Sequence, residues 1–159
     1  MDIFSLLNAN TMTVMQLLLD SSNFTKLIYY NDDKPLSHAS TPTSSQLLFI
    51  KLYPYVRIPD VKEDQQTIVG VTFNNAKLNN SNKKTIDSQL RFYIISHINL
   101  WRIEGGLRPY SIASEIHTIF NELNNTKLTF GKVIFDTWDY VSWNDVFCGY
   151  VASYNLVGF

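Results

Sequence analysis

The sequence predicts an α+β fold: a mostly antiparallel β-sheet with one long helix packed on a face, plus N-terminal short helices and a long β-hairpin arm. Three observations carry this. Helix-like and strand-like stretches are segregated along the chain rather than alternating. One segment keeps a helical apolar stripe through Ile112, Ile116, Ile119, Phe120 and Leu123. The 159 residues are 45% hydrophobic and 14% aromatic, enough for one core without disulfides. Residues 1–159 are therefore read as a single domain, with residues 1–36 as a helical segment and 47–159 as an α+β core whose arm spans 74–88.

The first thirty residues read as helical, with Val14, Met15, Leu17, Leu18 and Leu19 forming a broad apolar stripe. Ser22 is placed as the cap of a second short helix over residues 23–30, with Phe24, Leu27 and Ile28 on one face. Asn31, Asp32, Asp33, Lys34 and Pro35 end it, because turn formers and a proline cannot continue the ladder. Residues 37–46, rich in Ser, Thr and Pro, read as a surface loop. Strands follow over 47–53, 68–73 and 90–98. The polar stretch 74–88 between the last two reads as an extended hairpin tip, a loop long enough to imply a role. Gly105-Gly106 marks a turn, and Pro109 suits the first turn of the helix that carries the stripe. Asn124-Asn125 stops that helix. Two strands close the chain, over 128–136 and 146–154, joined by a bent connector over 137–145 that holds Trp138 and Trp143.

Composition and motifs exclude more than they name. With 13 Lys+Arg against 14 Asp+Glu the net charge is −1, which argues against coating nucleic acid or anionic lipid by bulk electrostatics. The acidic N-terminus, interrupted by Asn8 and Asn10, does not read as a secretory signal, and no run has the apolar length of a membrane span. The single Cys148 rules out an intrachain disulfide, and its strand setting favours packing over nucleophilic catalysis. His38, His97 and His117 lack the neighbouring ligands that preset a metal site, and His117 reads as solvent-facing. Pro59-Asp60 matches half of a nuclease metal motif, but no downstream lysine has an acidic residue two before it. Asp136 and Asp139 have the spacing of an acid/base pair, and solvated turn residues are the simpler reading. No enzyme, catalytic set, metal site or cofactor is expected. The expectation falls on surface instead: Asn75, Lys77, Asn80, Lys83 and Lys84 on the hairpin arm are the candidate interface, for a neighbouring subunit or another partner. A solvated tip blunted against aggregation is the competing view.

The order of elements, with Leu27-Ile28-Tyr29-Tyr30-Asn31-Asp32-Asp33-Lys34-Pro35-Leu36 closing the helical hairpin, Arg108-Pro109-Tyr110 opening the single helix, and Phe147-Cys148-Gly149-Tyr150 in the last strand, resembles tailed-bacteriophage neck proteins. More narrowly it resembles the tail terminator and head–tail joining group. The resemblance implies a structural virion protein that forms a ring, commonly a hexamer, at the head-proximal end of the tail tube and joins tail to neck. It implies partners in the chain itself, the tail tube protein and the neck or head-completion proteins. Genomic DNA would pass through the lumen without sequence-specific binding, and no membrane is involved. The site of action would be the neck/tail junction of the virion, assembled in the host cytoplasm. On this view the arm lies on a neighbouring subunit or on the tube. The N-terminal helical pair departs from the shortest terminators and keeps a neck adaptor of different ring symmetry open; a small metal-dependent nuclease is the remaining alternative.

Overall fold

A computed structural model describes residues 2–81, 84–121 and 132–157. Helix α1 (Ile3–Leu19) starts at Asp2, whose carboxylate accepts the Ser5 amide, and it buries Val14, Met15 and Leu18. Helix α2 (Ser22–Tyr29) begins one residue earlier than expected: Ser21, not Ser22, is the cap, its hydroxyl accepting from the Phe24 amide at 3.2 Å. The stretch 37–46 is not wholly loop. Pro35–Ser37 is a 3-10 turn, and α3 (Ser44–Leu47) forms one helical turn because the Gln46 side chain accepts the Thr43 amide at 2.8 Å.

The expected strand over 47–53 shrinks to β1 (Leu52–Tyr53). Leu47 completes the helical turn, Leu48 donates to the Ser44 carbonyl, and Phe49 turns the chain with a left-handed φ of 59°. Strands β2 (Thr67–Leu78) and β3 (Ile86–His97) are longer than the pattern indicates. Most of the stretch read as a polar tip is ladder: Lys77 pairs with Asp87 and Leu78 with Ile86, around a bulge between Asn74 and Lys77 where Asn75 takes a φ of 54°. A polar sequence continues a strand here because only one face, through Ile86, Ser88 and Leu90, is buried.

A small hairpin of β4 (Arg102–Ile103) and β5 (Gly106–Leu107) turns at Gly105, with φ 85°, and leads into α4 (Arg108–Asn121). Ile112, Ile116 and Phe120 are its buried stripe, as the sequence predicts. Strand β6 (Lys132–Ser142) runs through most of the expected connector, and β7 (Phe147–Val157) returns beside it. The tight turn between them is set by the Asn144 carbonyl oxygen of the side chain, which accepts the amides of Val146 and Phe147. Lys83, Leu123, the Asn124-Asn125 stop and the start of the expected strand at 128–131 lie outside the described residues.

The sheet order is β1-β2-β3-β7-β6, parallel only between β1 and β2. Helices α1, α2 and α4 cover its front face and enclose the main core, including Phe24, Leu47, Phe92, Phe120 and Tyr154. On the back face, one end of the sheet carries a smaller core of Tyr53, Ile68, Ile95 and Phe147. The strap 54–66 crosses this end, close enough that a Cβ on Gly70 would meet the Tyr55 carbonyl oxygen at 2.6 Å, and Asn144 donates to the Pro59 carbonyl at 2.9 Å.

The helical cover is latched by one buried cation. Arg108, fully excluded from solvent, donates to the carbonyls of Leu27, Tyr30, Asp32 and Leu100 at 2.5–2.8 Å. Burial pulls its guanidinium down to about 10 while Asp32 opposes the shift, so it remains charged at neutral pH. Four otherwise orphaned carbonyls at the end of α2 and in the loops are thereby satisfied by one side chain. No helix among the described residues is long and apolar enough to cross a membrane.

Candidate functional site

α4 packs over β3, β7 and the near side of β6, and among the described residues the front of β6 beyond it is a half-open ledge. Phe135, Trp138 and Tyr140 project from β6 beside their β7 partners Tyr154, Ala152 and Tyr150. A bulge between Phe135 and Thr137 shifts the alternation so that all three share one face. Tyr110 from the first turn of α4 and Trp101 from the loop before β4 complete the surface. Trp138 stacks on Tyr150 at 4.1 Å between ring centroids and 8° between planes. Trp101, Tyr110 and Tyr140 contact Tyr150 at 5.1–5.9 Å.

At the α4 side the ledge deepens into a cleft of about 540 Å³ walled by Tyr110, Ala113, His117, Phe135, Trp138 and Tyr154, with no Asp, Glu, Lys or Arg among the described residues that line it. Its polar groups are few. His117 Nδ1 and the Tyr154 hydroxyl are 3.1 Å apart, and the Tyr110 and Tyr150 hydroxyls 3.0 Å apart. Burial pushes the Tyr154 hydroxyl up to about 12. The bond to Tyr110 pushes Tyr150 up to about 12 and holds Tyr110 below the ordinary phenol value. Both shifts keep protons on Tyr150 and Tyr154, so at neutral pH the site offers hydroxyl donors and aromatic faces. That is binding chemistry for an uncharged or cationic apolar group.

The predicted interface residues gather elsewhere, at the far end of the β2–β3 hairpin. Asn75, Lys77, Asn80 and Lys84 are exposed there, with Leu78 showing 57% of its surface, while Lys83 lies outside the described residues. Asn75 and Lys77 line a shallow polar cleft with Asp87, Gln89 and Asn155. The histidines are dispersed. His38 sits 2.5 Å from Asp32 and stacks on Tyr30, His97 Nδ1 accepts the Asn99 amide, and His117 faces the cleft rather than open solvent alone. Among the described residues no three His, Cys, Asp or Glu side chains group as metal ligands would.

Asp136 and Asp139 are strand residues of β6, which corrects the turn reading; Asp136 occupies the bulge and accepts from Gln89 Nε2 at 3.3 Å. Cys148 is a buried free thiol whose pKa burial raises, the opposite of an activated nucleophile. The ledge itself escapes sequence reasoning, because its aromatic residues come from separate elements. The one available signal was the closeness of Phe135, at the end of the expected strand 128–136, to Trp138 and Tyr140 in the stretch read as a connector.

Comparison with curated proteins gives no match to this chain. The family model of YomW matches residues 21–156, from the cap of α2 to the penultimate described residue of β7. The chain therefore belongs to the YomW family, a phage-derived family of Bacillus prophage type, and is a phage-associated protein.

Proposed function

We propose that the chain is a structural subunit of a tailed-phage particle, of the tail-terminator and head–tail joining type, and that it works through surfaces rather than catalysis. It assembles as a ring, six copies in the terminator arrangement, on the head-proximal end of the tail tube and presents a face to the neck proteins. The observation that carries this reading is the β2–β3 hairpin of a phage-derived chain: two twelve-residue strands whose paired end buries Ile86 on one face and exposes Asn75, Lys77 and Leu78. A ladder of that length holds its tip in place, which a loop would not, and so suits contact with a neighbouring subunit. The near-neutral charge supports passage of DNA without tight binding.

One feature favours a neck adaptor instead. α1 spans seventeen residues ahead of the matched region and enlarges the helical side beyond the α+β core. Cryo-electron microscopy of the chain mixed with its tail-tube protein separates the two. Six copies capping the tube are expected of a terminator, and twelve copies point to an adaptor. Absence from any ring refutes both, and a magnesium-dependent cleavage assay then tests the nuclease alternative. Excising residues 75–84 should leave the subunit folded and abolish capping; normal rings from that variant remove the hairpin from the interface.

A further inference from the structure

The proposed ring contacts use the hairpin tip and leave the β6 margin without a role. β6 is an edge strand eleven residues long, with no strand on its outer side among the described residues. Alternate backbone N–H and C=O groups of such a strand face outward and can pair with another chain. Proteins usually blunt such edges with short length, proline or lysine. This edge has neither proline nor, beyond Lys132 at its end, lysine, and it exposes Phe135 at 47% and Tyr140 at 59%. Beyond its bulge, residues 137–142 pair regularly with β7 and have no strand on their outer side among the described residues, directly beside the aromatic ledge.

Charge identifies the partner. The β6–β7 hairpin, residues 132–157, carries Lys132 against Asp136, Asp139 and Asp145, a net −2, although the whole chain is −1. The other residues together are therefore +1, so this hairpin is more acidic than the rest of the chain taken together. Asp139 and Asp145 are exposed, and neither has an ion pair among the described residues. By strand alternation Asp139 faces the opposite side of the sheet from Trp138 and Tyr140. An added strand therefore meets rings on one face, which attract Lys and Arg by cation–π contact, and a carboxylate on the other, which attracts them by charge.

We infer that the 137–142 edge of β6 is a strand-addition site for an extended basic segment of a partner protein, with its alternate apolar or cationic side chains lying on the Tyr140, Trp101 and Tyr150 faces. The chain supplies pairing groups, carboxylates and rings; the partner supplies the missing strand and the positive charge. This assignment stands apart from the ring reading, since it concerns a different edge and holds for any basic partner.

The test uses the full chain and two synthetic ten-residue peptides, one alternating Lys and Val and one alternating Glu and Val. Titration is followed by calorimetry and by amide NMR. The Lys–Val peptide is expected to bind at least about tenfold more tightly than the Glu–Val peptide and to weaken with added salt. Amide shifts and slowed hydrogen exchange should map to residues 137–142. The doubly exposed change Asp139→Lys with Asp145→Lys should reverse the preference while leaving the thermal midpoint in place. Comparable affinity for both peptides overturns the inference, as does no binding by about 1 mM or binding that maps elsewhere. Concentration-dependent protection of β6 without peptide also overturns it, because a second copy would then be the occupant.

Discussion

Strands β6 and β7 lie side by side with eleven residues each, yet one is core and the other is surface. β6 is rich in large apolar side chains, Val133, Ile134, Phe135, Trp138, Tyr140 and Val141, and none is buried. β7 buries the small residues Gly149, Ala152 and Ser153 beside Phe147, Tyr154 and Leu156. Gly149 leaves no room for a Cβ against the Ile94 carbonyl, so β7 is fitted closely to β3. What separates the strands is cover: β7 lies between β3 and β6 in the sheet, whereas β6 is the margin and α4 meets it only along the cleft. Apolar side chains left outside such a cover remain available for contact with another molecule.

The largest test of that cover falls on Arg108. Replacing it by Met leaves the carbonyls of Leu27, Tyr30, Asp32 and Leu100 buried without their donor. A loss of about 4 kcal/mol is expected from several unsatisfied carbonyls, read as a fall in the urea midpoint. A loss under about 1 kcal/mol would mean that water satisfies these groups and that the latch does not hold the helices. On the covered strand itself, Leu156→Ala removes a side chain 1% exposed in the main core. About 3 kcal/mol should be lost from transfer and cavity terms together.

These covered parts were also the ones readable in advance. The Ile112, Ile116 and Phe120 stripe found α4 because helical periodicity and burial agree there. Apolar content alone misled at 47–53, where Leu47 ends a helical turn and Phe49 bends back, since a short apolar run fits a strand or a helix end equally. The bulge at Phe135/Thr137 broke the two-residue alternation, so the strand was read as ending at 136 and the rest of β6 as a connector. Polar side chains on one face hid the ladder within 74–88. The ledge was invisible for a different reason. Trp101, Tyr110, Trp138, Tyr140 and Tyr150 meet only once β6, β7 and α4 are assembled, and no local spacing encodes that meeting.

At the boundary between the two strands, Tyr154 belongs to the core by its ring and to the cleft by its hydroxyl. Tyr154→Phe removes the bond to His117 and should cost about 1 kcal/mol at neutral pH. The pH dependence has a definite sign. Burial raises the phenol from 10.0 to about 12, so the folded state favours the neutral hydroxyl. Its contribution is present in full below pH 10 and is lost as pH rises towards 12. The stability gap between the native chain and Tyr154→Phe should therefore close as pH rises through that window. A gap independent of pH would place Tyr154 in solvent.

The smallest effect belongs to the exposed edge. Ile134 is as apolar as Leu156 and lies one strand away, but it is 43% exposed. Ile134→Ala should change stability by less than about 0.5 kcal/mol, because little area returns to water and no cavity forms. In a chain of this size that corresponds to a thermal midpoint shift of about 1–2 °C. Set beside Leu156→Ala, the same loss of apolar carbons on neighbouring strands should differ severalfold in cost. A large loss at Ile134 would show that the back of β6 is packed in solution, and the contrast with the buried Leu156 would then fail.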